Sequence, residues 1–185
     1  WRFDANRAWD FADALRFCDV LAGSDAAYVE EPLQEPGLLP QLHKKTGIPY
    51  AVDETLQELS TYLFSSNMDI SSEEGKLLFA LVENAQALVW KPGLCMSPAR
   101  MGLQRSVPVV LSAAYESGVG TAAILDYAAQ KEYSLCAAGI DTYSRLAVDV
   151  LHGQLPVFQG EASMQAVRDT AGSVNTKMLK EVWHV

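Results

Sequence analysis

A charged residue closes each of four successive short, largely apolar segments: Asp4 after WRF, Glu30 after AAYV, Asp53 after IPYAV and Lys91 after ALVW. No other feature restricts so sharply what this chain can fold into. Apolar runs this short, alternating with segments of helical periodicity, form the parallel strands of an α/β protein. The four charges are separated by steps of 26, 23 and 38 residues, and the next strand end, near Ser112, follows 21 residues later. A step in the twenties is one strand–helix unit. An open, doubly wound sheet gathers its site at one switch point. Ionisable groups at the carboxyl ends of consecutive strands instead fit a (β/α) barrel, whose active site is assembled from those ends.

The intervening sequence fills in the units. Strands are expected at 1–4, 26–30, 48–53, 87–91, 107–113 and 134–140, and helices at 10–21, 36–45 and 120–130. In the first helix Phe11, Leu15, Cys18 and Leu21 recur on roughly one face, and Gly47 stops the second. The long step contains SSNMDISSEEG, so residues 56–75 are expected to be a surface excursion with room for a short helix. After Gly153 the regularity fades. The barrel is therefore expected over 1–153, and 154–185 as a tail, either a helix near 161–167 or a linker toward a following domain.

Composition excludes several partners. A net charge of −9, with no basic run longer than His43-Lys44-Lys45, rules against a phosphate backbone, which concentrates Lys and Arg on its binders. The longest apolar stretches, such as 107–115, fall far short of the roughly 20 residues that span a bilayer. Neither nucleic acid nor a membrane span is expected. Cys18, Cys95 and Cys136 form an odd, widely spaced set without CxxC, which reads as core thiols of a reducing intracellular compartment. His43, His152 and His184 lack ligand spacing and are expected at the surface.

The chemistry lies in the charges themselves. Three carboxylates on adjacent strand ends, Asp4, Glu30 and Asp53, can converge on one divalent cation, and all-oxygen ligation suits Mg²⁺. Taken singly, each reads more readily as a solvated loop residue, and it is the regular spacing at strand ends that raises the set above that. Lys91 should point into the same mouth, as an acid/base or electrostatic group or as a lysine snorkelling from the rim.

Six motifs then carry a resemblance. DAN-x-AW (Asp4, Ala5, Asn6, Ala8, Trp9), VEEP (29–32), VDET (52–55) and VWKPG (89–93) resemble the enolase superfamily in order and spacing. LSAAYESGVG (111–120) and AGIDTY (138–143) look specifically like the o-succinylbenzoate synthase family. The stretch ID-TY-SRLAVDVL looks closer to the synthase module of fused plant and algal phylloquinone-pathway proteins than to free-standing bacterial forms.

This resemblance implies a partial enolase-superfamily TIM-type barrel comprising strands 3 to 8. The N-terminal capping domain and the first two strands would lie upstream, with fused pathway domains as further partners. It also implies Asp4, Glu30 and Asp53 as Mg²⁺ ligands and Lys91 as the lysine of the sixth barrel strand. Arg2 and Asn6 would line the pocket beside the first ligand, and Ser112 would sit in the cradle of the substrate carboxylate. Glu31 and Glu54, the second acids of their pairs, should turn away from the mouth, so Glu31→Gln is expected to cost little. Gly118-Val119-Gly120 offers backbone N–H groups to an anion at a helix start. Glu116 is structural or supporting, and Asp141 matches a family position near the last strand.

The implied reaction is Mg²⁺-dependent dehydration of 2-succinyl-6-hydroxy-2,4-cyclohexadiene-1-carboxylate to 2-succinylbenzoate, a small-molecule carboxylate step of menaquinone and phylloquinone synthesis. Removing a proton α to a carboxylate builds a second negative charge on it, and in that superfamily a Lys or His base works with Mg²⁺ against that charge. The family's base is a lysine in a Lys-x-Lys motif on the second barrel strand, and the chain contains no Lys-x-Lys. The 185 residues are therefore expected to be inactive alone, and a plastid is the expected compartment if the source is a plant or alga. N-acylamino acid racemases, dipeptide epimerases and muconate cycloisomerases share these ligands, and AGIDTY favours the synthase over them. A non-catalytic binding or scaffold module derived from such a barrel is the alternative from another class.

Overall fold

The computed structural model describes residues 1–65, 69–103, 107–130 and 136–179, which divide into two compact units, Trp1–Val110 and Leu111–Val185. The first unit alternates strand and helix. Strand β1 (Arg2–Asp4) leads to α1 (Phe11–Leu21), β2 (Tyr28–Glu30), α2 (Leu39–Thr46), β3 (Tyr50–Val52), α3 (Glu54–Ser65), α4 (Glu73–Asn84) and β4 (Ala87–Trp90), and β5 (Val109–Leu111) falls on the boundary at Val110. The strands lie in one sheet in chain order, β1-β2-β3-β4-β5, and the first three pairings are parallel. Consecutive strands of a parallel sheet need a crossover between them, and the helices supply it. This is a partial α/β barrel of the TIM type, as the strand-end charges suggested.

The core explains the short strands. Every residue of β3 and β4 is buried, as expected where both faces of a parallel sheet are covered. Leu39, Leu56, Leu63, Leu78, Leu81 and Leu88, each 0% exposed, form one cluster between helices and sheet. Local signals agree with this packing. Asp10 caps α1 by accepting from Asp13 N at 2.8 Å, Ser72 caps α4 through Gly75 N at 3.0 Å, and α2 ends on Gly47 in the left-handed conformation at φ 70°.

Two expectations change. The stretch 56–75 is not a surface excursion at its start. Residues 54–65 are the helix α3, with Leu56 and Leu63 sealed in the core, and α4 already begins at Glu73. The serines and acids of SSNMDISSEEG obscured an i, i+3, i+7 spacing of Leu56, Leu59 and Leu63 that points one face inward. Part of the strand expected at 134–140 lies outside the described residues. In the described part, Gly139 forms a single parallel bridge with Ser112, its N–H donating to Leu111 O and its carbonyl accepting from Ala113 N, both at 2.8 Å.

The second unit is built around α5 (Gly118–Ala128), a two-stranded antiparallel ribbon of β6 (Val157–Phe158) and β7 (Glu161–Ala162), and α6 (Met164–Ala171). Its core is Ala122, Leu125, Leu151, Leu155 and Val167. The helix expected at 161–167 thus begins three residues later, at Met164, because Glu161 and Ala162 pair with β6. Among the described residues, no helix is long and apolar enough to cross a membrane.

Candidate active site

Register places the four charged strand ends together. Asp4 lies directly opposite Glu30 in the β1–β2 pairing, and Glu30 lies opposite Ala51 in β2–β3. Asp53 is two residues beyond Ala51, so the period of two along a strand returns its side chain to the same face. The same count holds at the next strand. Val52 is opposite Leu88, which sets Val89 beside Asp53 and Lys91 one pleat further on. The four groups therefore share one end of the sheet by geometry alone.

The contacts bear this out for three of the four. Asp53 is 1% exposed. Its Oδ1 accepts from Gln57 Nε2 at 2.6 Å, and its Oδ2 accepts from Lys91 Nζ. The Glu30 carboxyl stands within hydrogen-bonding reach of Asp53. Burial, the hydrogen bond to Asp53 and the charges of Asp53 and Asp4 push its pKa up to about 9 against the pull of Lys91. For Lys91 burial works downward, but the hydrogen bond and charge of Asp53 outweigh it and the pKa is raised. Asp4 is exposed, and its Oδ1 accepts from Asn6 N at 3.0 Å. It acts on Glu30 through space, as a like charge.

These donors fit a hard divalent cation in chemistry. All are carboxylate oxygens, and the repulsion that lifts Glu30 is what a dication between them would relieve. They are not drawn tight: among the described residues no three His, Cys, Asp or Glu side chains are close enough to hold a metal ion together.

The remaining expected residues are scattered. Arg2 lies at the opposite end of β1 from Asp4, its guanidinium 5.6 Å from the centroid of the Tyr28 ring. Asn6 and Arg7 form the turn after β1, both left-handed at φ 48° and 55°. Ser112 belongs to the second unit, where its Oγ donates to Gly139 O at 3.1 Å. In that unit the helix start at Gly118 already has its anion: Gly118 N donates to Asp149 Oδ1 at 2.8 Å, and Tyr143 Oη to Asp149 Oδ2 at 3.0 Å. Gly120 N faces its own cap, Ser117 Oγ, at 3.4 Å. Glu116 accepts from Ala114 N and braces its loop.

The second acids of the two pairs behave differently from each other. Glu54 opens α3, and one of its buried carboxylate oxygens, Oε2, has no hydrogen-bond partner. Burial, with the charge of Asp53, raises its pKa. Glu31 does turn from the mouth, but not to solvent. It is 0% exposed and accepts from Asp53 N, Thr55 N and Thr55 Oγ1, each at 2.9 Å, and from Arg7 Nε at 3.2 Å. A buried carboxylate with four donors is not idle, so Glu31→Gln should cost stability even though Glu31 turns from the mouth as expected. Arg7 and Gln57 were not singled out in the sequence. Arg7 fell on the unassigned position of DAN-x-AW, and Gln57 shows itself only once α3 is known to start at Glu54, one turn below it.

Comparisons with known proteins speak to the family and the fold. A family model described as Enolase C-terminal domain-like matches residues 1–63. Protein PHYLLO, chloroplastic, of Arabidopsis thaliana is 30% identical over 184 residues, covering 88% of this chain and 10% of that protein. The o-succinylbenzoate synthase of Thermobifida fusca is 28% identical over 175 residues, covering 91% of this chain and 52% of that enzyme. The chain thus spans about half the length of the bacterial synthase and a tenth of the plant protein. Among solved structures, a dipeptide epimerase from Cytophaga hutchinsonii, complexed with Mg and the dipeptide D-Ala-L-Val, superposes with a TM-score of 0.64 at 20% identity. It covers 87% of this chain and 43% of the epimerase, and at that identity it speaks to the fold alone.

Proposed function

We propose that this chain, whose residues 1–63 match the Enolase C-terminal domain-like model and which is similar to o-succinylbenzoate synthases over most of its length, is part of such a synthase and supplies the metal-binding side of its barrel mouth. The observation that carries this reading is the alignment of Asp4, Glu30, Asp53 and Lys91 on one end of a parallel sheet, with Glu30 pressed against Asp53 and Lys91 resting on it. Homology to synthases over about nine-tenths of the chain, in Thermobifida fusca and Mycobacterium marinum, supports the choice of reaction.

Asp4, Glu30 and Asp53 would hold one Mg²⁺. The ion, when bound, supplies positive charge to the substrate carboxylate, on which negative charge builds as the α-proton leaves. The chain's own residues do the rest. Lys91, kept protonated by Asp53, places a second positive charge at the mouth for the same developing charge. Gln57 fixes the rotamer of Asp53. The six-membered ring then loses its hydroxyl as water and becomes aromatic. With Lys91 acting electrostatically, the reaction needs a separate proton-abstracting base, and the 185 residues carry no Lys-x-Lys.

The test is to follow formation of aromatic product with Mg²⁺ present, for the chain alone and for the chain joined to or mixed with an upstream barrel segment carrying Lys-x-Lys. Turnover only in the second case, lost again on Asp53→Asn, is expected. Turnover by the chain alone that survives Asp53→Asn would overturn the assignment.

A further inference from the structure

Glu31 follows the candidate ligand Glu30 directly and has φ 40°. Left-handed backbone is uncommon for a residue with a side chain and persists only where its surroundings hold it. Here it bends the chain without turning it back, since Leu33 still bridges Trp9 in parallel, and the Glu31 side chain enters the protein while Glu30 stays at the mouth. Glu31 Oε1 accepts from Asp53 N and Thr55 N, and Oε2 from Thr55 Oγ1 and Arg7 Nε. Arg7 arrives from the turn three residues after Asp4, where its N–H also donates to Glu31 O at 2.7 Å. Its other nitrogens bind Thr55 Oγ1 at 2.7 Å and Glu58 Oε1 at 2.8 Å. One buried carboxylate is therefore tied to the backbone beside Glu30, to the backbone of Asp53, and to the loop that follows Asp4.

We infer that Glu31, clamped by Arg7, is a positioning residue that ties together the backbone segments carrying Asp4, Glu30 and Asp53, on which a divalent cation would draw, without touching the cation. This rests on reading those three as ligands. The chemistry of the network supports it: a buried ion pair is a poor source of net stability compared with apolar packing, but it fixes geometry through directional bonds. Groups that hold metal ligands in place commonly change metal affinity 10–100-fold when altered.

The test uses Mn²⁺ as the probe, read by paramagnetic resonance of free and bound ion, with thermal melting measured on the same samples. Glu31→Gln should weaken Mn²⁺ binding by roughly 10–100-fold and change the spectrum of the ion that does bind. Arg7→Met leaves the Glu31 charge buried without its partner and should melt lowest. The double variant Arg7→Met/Glu31→Gln should recover melting temperature relative to Arg7→Met but not Mn²⁺ affinity. Thr55→Val, which keeps both charges and the side-chain shape, should weaken affinity to a smaller degree and serves if Glu31→Gln does not fold. Wild-type affinity in Glu31→Gln or Thr55→Val, or affinity that returns with melting temperature in the double variant, would show a purely structural role and overturn the inference. If wild type and Asp53→Asn bind Mn²⁺ equally, or neither binds, the ligand assignment itself has failed and the inference falls with it.

Discussion

The ammonium of Lys91 rests on Oδ2 of Asp53 while Gln57 holds Oδ1, so both oxygens of this buried carboxylate are committed. Lys91 and a divalent cation thus compete for the same negative charge. Lys91→Met should destabilise the metal-free protein by on the order of 3 kcal/mol, because it strands a carboxylate that is almost fully buried. The same change should tighten Mg²⁺ binding by removing a rival cation. Denaturant melts with and without Mg²⁺ check both effects, and an unchanged midpoint in chelator would show that the ion pair does not exist in solution.

Glu30 gives the protein a pH dependence of unusual sign. Its carboxyl titrates near 4.5 ordinarily and at about 9 in the fold, so between those values the folded state holds a proton that the unfolded state has released. Stability falls with rising pH wherever the native state binds more protons. Across that window the metal-free wild type should therefore lose stability relative to Glu30→Gln, and saturating Mg²⁺ should flatten the difference by displacing the proton. Urea midpoints at pH 6 and pH 8.5 for the two proteins decide it. Parallel pH profiles for wild type and variant would show that Glu30 ionises normally.

Leu56 marks where the sequence was hardest to read. It is fully buried at the start of α3, and Leu56→Ala should cost about 2–5 kcal/mol, as large-to-small changes in a core do. On a surface excursion the same change would stay within about 0.5 kcal/mol of zero. Chemical denaturation separates the two cleanly.

The misreading of 56–75 has a physical origin. Composition over twenty residues averages an amphipathic helix together with the polar segment after it, and the average resembles a loop. By contrast, the placement of Asp4, Glu30 and Asp53 at neighbouring strand ends was legible, because a strand end is fixed by local hydrophobicity and the sheet register does the rest. What single-sequence reading could not supply was the ion pair between Arg7 and Glu31. Both are charged residues beside charged or polar neighbours, and only their left-handed backbone angles turn them toward each other. Gly118 was legible as a helix start with free donors, but the acid that fills it, Asp149, lies 31 residues away.

Lys91→Ala should lower kcat more than it raises KM for the cyclohexadiene acid, since its charge is needed mainly as negative charge builds on the ring carboxylate. Steady-state kinetics with the Lys-x-Lys segment present provide the measurement. A change confined to KM would make Lys91 a ground-state binder of carboxylate.

The most direct test is calorimetric titration of the protein with 2-succinylbenzoate, the proposed product, in the presence of Mg²⁺ and in the presence of chelator. Binding that requires Mg²⁺ and disappears in Asp53→Asn is the result expected of a carboxylate held at the mouth formed by Asp4, Glu30, Asp53 and Lys91. Binding of equal strength in chelator, or undiminished binding by Asp53→Asn, would contradict it.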